Sequence, residues 1–112
     1  MGSLKRKIEL VDDTHREDIK ARFYSLMTPE LWDMWEEMRE WCKDYEKNKD
    51  LIILRIYAIR KALQFFKIVI YPMEGNRNIG WGFALKTNKT NFYREGFESA
   101  KDATIGFIEF LD

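Results

Sequence analysis

The chain is poor in the residues that usually announce a chemistry. It has one cysteine, Cys42, one histidine, His15, and two prolines among 112 residues. A single cysteine excludes an internal disulfide. Together with the lack of an N-terminal secretory segment, it points to a cytoplasmic protein. A lone histidine at the head of a helix has no neighbour with which to bind a metal, so neither a metal nor a cofactor is expected. Glycine-rich phosphate loops, HExxH, CxxC and GxSxG patterns do not occur, and no catalytic residue can be named. Net charge is also missing: 19 basic residues balance 19 acidic ones, which excludes the broadly basic footprint of many nucleic-acid-binding proteins. The greasiest stretch, residues 51–73, is interrupted by Arg55, Arg60, Lys61 and Lys67. A membrane-spanning helix needs about 20 largely apolar residues and tolerates mid-bilayer charge poorly, so no membrane role is expected.

What remains is an ordinary globular composition, 46% hydrophobic and 34% charged, with an unusual supply of aromatic residues. The length suits one domain with one hydrophobic core, taken as residues 1–112. Residues 4–11 read as a short strand or a flexible arm. Thr14 and Glu17 have capping-box spacing, and Ile19, Phe23, Leu26 and Met27 follow at helical intervals. Thr28-Pro29 starts a second helix, with threonine at the N-cap and proline where its missing N–H costs nothing. Leu31, Met34, Trp35, Met38, Trp41, Cys42 and Tyr45 line one face of it, Trp32 lies at the edge, and Asp33, Glu36, Glu37, Glu40 and Asp44 line the other. Lys47–Asp50 is expected to close this helix and cap the next.

Residues 51–66 are long enough for a helix of about four turns, and their apolar girth predicts burial in the centre of the domain. A buried strand over 51–59 is the alternative. From Phe66 the period becomes two, with β-branched residues at the centre, and Pro72 ends the strand. A polar turn at 74–78 leads to a strand over 79–86. It places Ile79, Trp81, Phe83 and Leu85 on one face and Gly80, Gly82 and Ala84 on the other. A helix packed tightly on that bare face, or a flat ligand surface, would account for the glycines. Phe92–Phe97 forms a third strand, and Ser99, with Asp102 three residues on, caps a final helix whose inner face carries Ala103, Thr104, Phe107, Phe110 and Leu111. The expected class is α+β: N-terminal helices packed on a three-stranded antiparallel sheet with a C-terminal helix, β-β-β-α in the second half. Within this half, Gly96–Ala103 resembles the strand-to-helix corner of integrase-arm DNA-binding domains. That resemblance implies a sheet presenting cationic and aromatic side chains to nucleic acid.

Charge is unevenly placed. Residues 28–50 hold four basic and eight acidic residues, and 51–73 hold four basic and no acidic ones. Two neighbouring helices of opposite sign explain this. The favoured function is non-enzymatic protein–protein interaction, as an adaptor, inhibitor or regulatory subunit acting on another protein or on itself as a homodimer. Trp32, Trp35 and Met38, rimmed by Glu36 and Glu40, are the candidate contact residues, because Trp and Met are enriched in such interfaces. The alternative is nucleic-acid binding through Lys86, Lys89 and Arg94 on the sheet, with Tyr93 or Phe92 stacking on bases.

Overall fold

The computed structural model describes residues 13–112, with side chains from His15 onward. The strand or arm expected over 4–11 and the Thr14 cap side chain lie outside the described residues. Helix α1 is Asp13–Leu26, α2 Pro29–Trp41, α3 Tyr45–Ala62 and α4 Ala100–Leu111. Strands β1 (Lys67–Pro72), β2 (Trp81–Lys86) and β3 (Asn91–Phe97) pair antiparallel in the order β1-β2-β3. The class is α+β, as the sequence predicts. Among the described residues no helix is long and apolar enough to cross a membrane.

Two of the three N-caps that the sequence predicts within the described region form, at Thr28 and Ser99. Thr28 Oγ1 accepts from the Leu31 N–H at 3.2 Å, and Ser99 Oγ accepts from the Asp102 N–H at 3.1 Å. Each satisfies an amide that the first helical turn leaves without a partner. Pro72 ends β1 as expected, and the chain passes into a short 3₁₀ turn over Met73–Gly75.

The junction of α2 and α3 departs from expectation. Residues 47–50 do not close a helix; they lie inside α3, which begins at Tyr45. The break comes earlier, across the 3₁₀ turn Cys42–Asp44, where Asp44 leaves helical geometry at φ −132°, ψ 69°. Neither glycine nor proline marks it. Asn48 supplies part of the capping instead, donating its amide to the Trp41 carbonyl at 3.1 Å. α3 then folds back along α2, and Arg55 fastens the pair. Its guanidinium donates to the Met34 carbonyl at 2.8 Å, pairs with Glu37 at 2.8 Å and stacks over the Trp41 ring. The excess charges of the two segments do meet, through this largely buried arginine.

The helices cover one face of the sheet. The register pairs Ile68 with Leu85 and Leu85 with Phe92, so these side chains point the same way, toward α4. Between them runs a continuous aromatic core. Phe92 stacks on Phe110 at 4.4 Å, Phe83 lies 6.3 Å from Phe107, Phe107 meets Trp35 edge-on at 5.7 Å, and Phe23 links Trp35 to Phe66. Edge-to-face and offset contacts of this kind add to the area they bury. Gly106 lets α4 come close, since a Cβ there would stand 2.7 Å from the Phe97 ring. Phe83 and Leu85 are buried as expected, but Trp81 is only half-buried and Ile79 precedes the strand, exposed. They belong to the mouth of the sheet, not to its core.

The expectation that the third helix is central and buried is overturned. Tyr45, Ile52, Ile59 and Leu63 form one narrow buried stripe on α3 and its C-cap. Leu51, Ile53, Leu54 and Tyr57 point outward, between 48% and 65% exposed. α2 and β1 cover one side of α3, and its far side stands in solvent. The strand alternative for 51–59 falls because these residues lie within the helix Tyr45–Ala62.

Candidate functional site

Two surfaces follow from this arrangement. On the first, Leu51, Ile53, Leu54 and Tyr57 occupy two successive turns of α3, flanked by Asp50 at one end and by Arg60 and Lys61 at the other, all exposed. Beside it, α3, β1 and α4 enclose a groove of about 430 Å³ lined by Ile53, Tyr57, Ile70 and Trp81. Half-buried Trp81 forms part of its wall. Exposed apolar residues are common singly, whereas a contiguous patch on a small protein marks an interaction surface.

The second surface is the sheet face turned away from the helices. There Gly82 and Ala84 of the central strand form the floor, with Val69 and Tyr71 of β1 on one side and Tyr93 and Glu95 of β3 on the other. Small residues between two rows of larger ones make a trough of about 380 Å³, open toward Lys86 and Asn91. Neither a packed helix nor a flat surface explains the central glycine. Tyr71 and Glu95 lean inward over it, and a Cβ on Gly82 would meet Glu95 Cγ at 2.8 Å and Tyr71 Cζ at 3.0 Å. The Tyr71 hydroxyl donates to Glu95 Oε2 at 2.7 Å. Burial, this bond and the Glu95 charge push the Tyr71 phenol well above its usual pKa. Glu95 is 6% exposed, and its other oxygen, Oε1, is buried without a partner.

The residues singled out from sequence distribute differently. Trp35 and Met38 are fully buried in the core, and half-buried Trp32 packs edge-on against Phe23. The Met/Trp stripe of α2 is therefore interior. Glu36 and Glu40 are exposed and pair with Arg39 on the same helix and with Lys43 in the 3₁₀ turn that follows it. Of the cationic set, Lys86 shares the open sheet face with Tyr93, and Lys89 sits in the β2–β3 turn. Arg94 pairs in register with Phe83, so it points to the helix side, where its guanidinium lies over the Phe92 and Phe110 rings. Burial and the neighbouring Arg16 draw its pKa down. The three cations do not share a surface, and Phe92 is fully buried, out of reach of any base. Among the described residues no three or more His, Cys, Asp or Glu gather to hold a metal ion.

Sequence reasoning missed the α3 face, Tyr71 and Glu95. The signal for the first was present: residues 51–58 are apolar around most of a helix, with Arg55 the one charge, more than one stripe of contact can absorb. The signal for the second was the alternation of Gly80, Gly82 and Ala84 with large residues, which leaves a furrow once the flanking strands are in place. No family model, no curated protein and no solved structure matches this chain.

Proposed function

We propose that this protein is a small cytoplasmic, non-enzymatic interaction module that works through the exposed face of α3, with a second copy of itself as the partner. The observation that carries the reading is the outward placement of Leu51, Ile53, Leu54 and Tyr57 on one helix. Covering them removes apolar area from water at about 25 cal/mol per Å². The charges around the patch favour self-association. Asp50 stands just before the patch on α3, in a stretch where Glu46 and Asp50 balance Lys47 and Lys49, and Arg60 and Lys61 stand just after it. An antiparallel two-fold pair centred between Leu54 and Tyr57 sets Asp50 of each copy beside Lys61 of the other. The interface is then isologous, the commonest arrangement for soluble homodimers. A parallel pair would set like charge against like. The basic trio of the sheet, divided between two faces, offers nucleic acid no comparable surface.

Sedimentation equilibrium over a wide concentration range tests the reading. Dimerisation is expected, weakened by Asp50→Lys or Lys61→Asp alone and restored by the two together. A monomer at millimolar concentration overturns self-association.

A further inference from the structure

The open trough of the sheet is unrelated to the α3 surface and has a chemistry of its own. A buried carboxylate oxygen without a donor is costly, more so than a neutral group in the same position. Glu95 Oε1 is in that state, although the side chain is held in place through Oε2 by Tyr71. The phenol itself is only half-buried, so it can swing aside without disturbing the core. From Glu95 the floor runs over Ala84, with Val69 and Tyr93 as apolar and aromatic walls, and reaches Lys86 at the open end. The two ends thus carry opposite charge with an apolar middle. Four residues of strand separate the Gly82 and Lys86 levels, about 13 Å at the usual rise, and the flexible arm of Lys86 shortens that span.

We propose that this trough is a binding site for a small linear amphoteric molecule, with an alkylammonium at Glu95 and an anionic group at Lys86. The ammonium supplies the donor that Glu95 Oε1 lacks. The Tyr71 and Tyr93 rings flank the cation, whose attraction to aromatic faces adds to the ion pair. The methylene chain lies over Ala84 and Val69. A volume of about 380 Å³ falls in the range of small-molecule sites and accommodates a six-carbon chain. Gly82 is required because a Cβ there would meet the Arg94 backbone carbonyl at 2.9 Å as well as the Tyr71 and Glu95 side chains that form the closed end.

The test uses the full chain and three probes: ε-aminocaproate, hexylamine and hexanoate, titrated while backbone amide resonances are followed. ε-Aminocaproate is expected to bind saturably, more tightly than hexylamine, with hexanoate weakest and with shifts concentrated on the three strands. Glu95→Gln keeps an acceptor for the Tyr71 hydroxyl and removes the charge. It should weaken both amines by roughly tenfold or more, the worth of a charge-assisted hydrogen bond. Lys86→Ala should weaken ε-aminocaproate several-fold and leave hexylamine unchanged. Were Glu95 only a brace for Tyr71, the wild type would bind neither amine, or binding would survive Glu95→Gln. Either result overturns the proposal. If Glu95→Gln fails to fold, exposed Lys86 carries the test, and its failure to separate ε-aminocaproate from hexylamine also overturns it.

Discussion

Replacing Leu54 by glutamine separates folding from association. The side chain is 65% exposed in the single chain, and full burial of a leucine is worth about 1.5–3 kcal/mol. Roughly a third of that, about 0.5–1 kcal/mol, is lost from folding, and glutamine keeps nearly the same helix propensity. The remaining two-thirds, about 1–2 kcal/mol per copy, is gained only when a second chain covers the residue. A two-fold pair counts it twice, so about 2–4 kcal/mol of association is removed, raising Kd by roughly thirtyfold to several hundredfold. Ile52, two residues away and fully buried, provides the opposite case. Ile52→Ala should cost about 2–5 kcal/mol of folding stability without touching the outer face. Urea denaturation measures the first quantity and sedimentation equilibrium the second. If Leu54→Gln costs more than about 2 kcal/mol in folding, Leu54 is not exposed. If it leaves Kd unchanged, the α3 face is not the interface.

Arg55 is the fastener between α2 and α3. Arg55→Met keeps its stem but loses the Met34 carbonyl, the Glu37 carboxylate and the charge over Trp41, and a loss of about 1–3 kcal/mol in denaturation is expected. Glu37→Ala, removing an exposed partner, should cost less than about 1 kcal/mol; equal costs would place the stabilisation in the ion pair. The Tyr71 phenol has a folded pKa raised above its ordinary value of 10.0. Its stabilising contribution is therefore complete below pH 10 and is lost as pH rises through the higher folded value. Tyr71→Phe should flatten the alkaline limb of the stability profile, and an unchanged limb would refute the Tyr71–Glu95 coupling.

The fold was legible where local rules and tertiary demands agree. Ser99 and Thr28 announce helix starts because an unpaired first-turn amide needs an acceptor whatever surrounds it. The three strands were legible because β-branched and aromatic residues alternate with small or polar ones on a sheet buried on one face. The α2–α3 boundary was not, because the device that makes it is tertiary. Asn48 caps a carbonyl seven residues earlier, and neither glycine nor proline marks the break at Asp44. The side of the sheet taken by Arg94 was obscured by the irregularity between Trp81 and Gly82, where the register shifts and Gly96 takes a φ of +103°. Alternation counted back from Phe97 across that point puts every residue of β3 on the wrong face.

Burial was misjudged for a different reason. Hydrophobicity records what a side chain prefers, and only the arrangement of elements decides whether anything stands opposite it. α2 and α4 show the usual economy, with apolar residues turned inward: Leu31, Trp35 and Met38 on one, and Phe107, Phe110 and Leu111 on the other. α3 does not. The core asks of it only Tyr45, Ile52, Ile59 and the adjoining Leu63, with Ile56 packed at the margin. Polar residues at 51, 53, 54 and 57 would leave those contacts intact and improve solubility. Phe65 extends the same pattern beyond the helix: it is 68% exposed and held at φ +62°, a left-handed conformation that costs a bulky residue about 1–2 kcal/mol. Neither its ring nor its backbone geometry serves the chain's own core. Residues that burden folding and solubility without contributing to packing are accounted for by something outside the chain, and on this molecule they gather on α3 and at its end. That is the physical ground for placing the interface there, and not on the Trp-rich helix beside it.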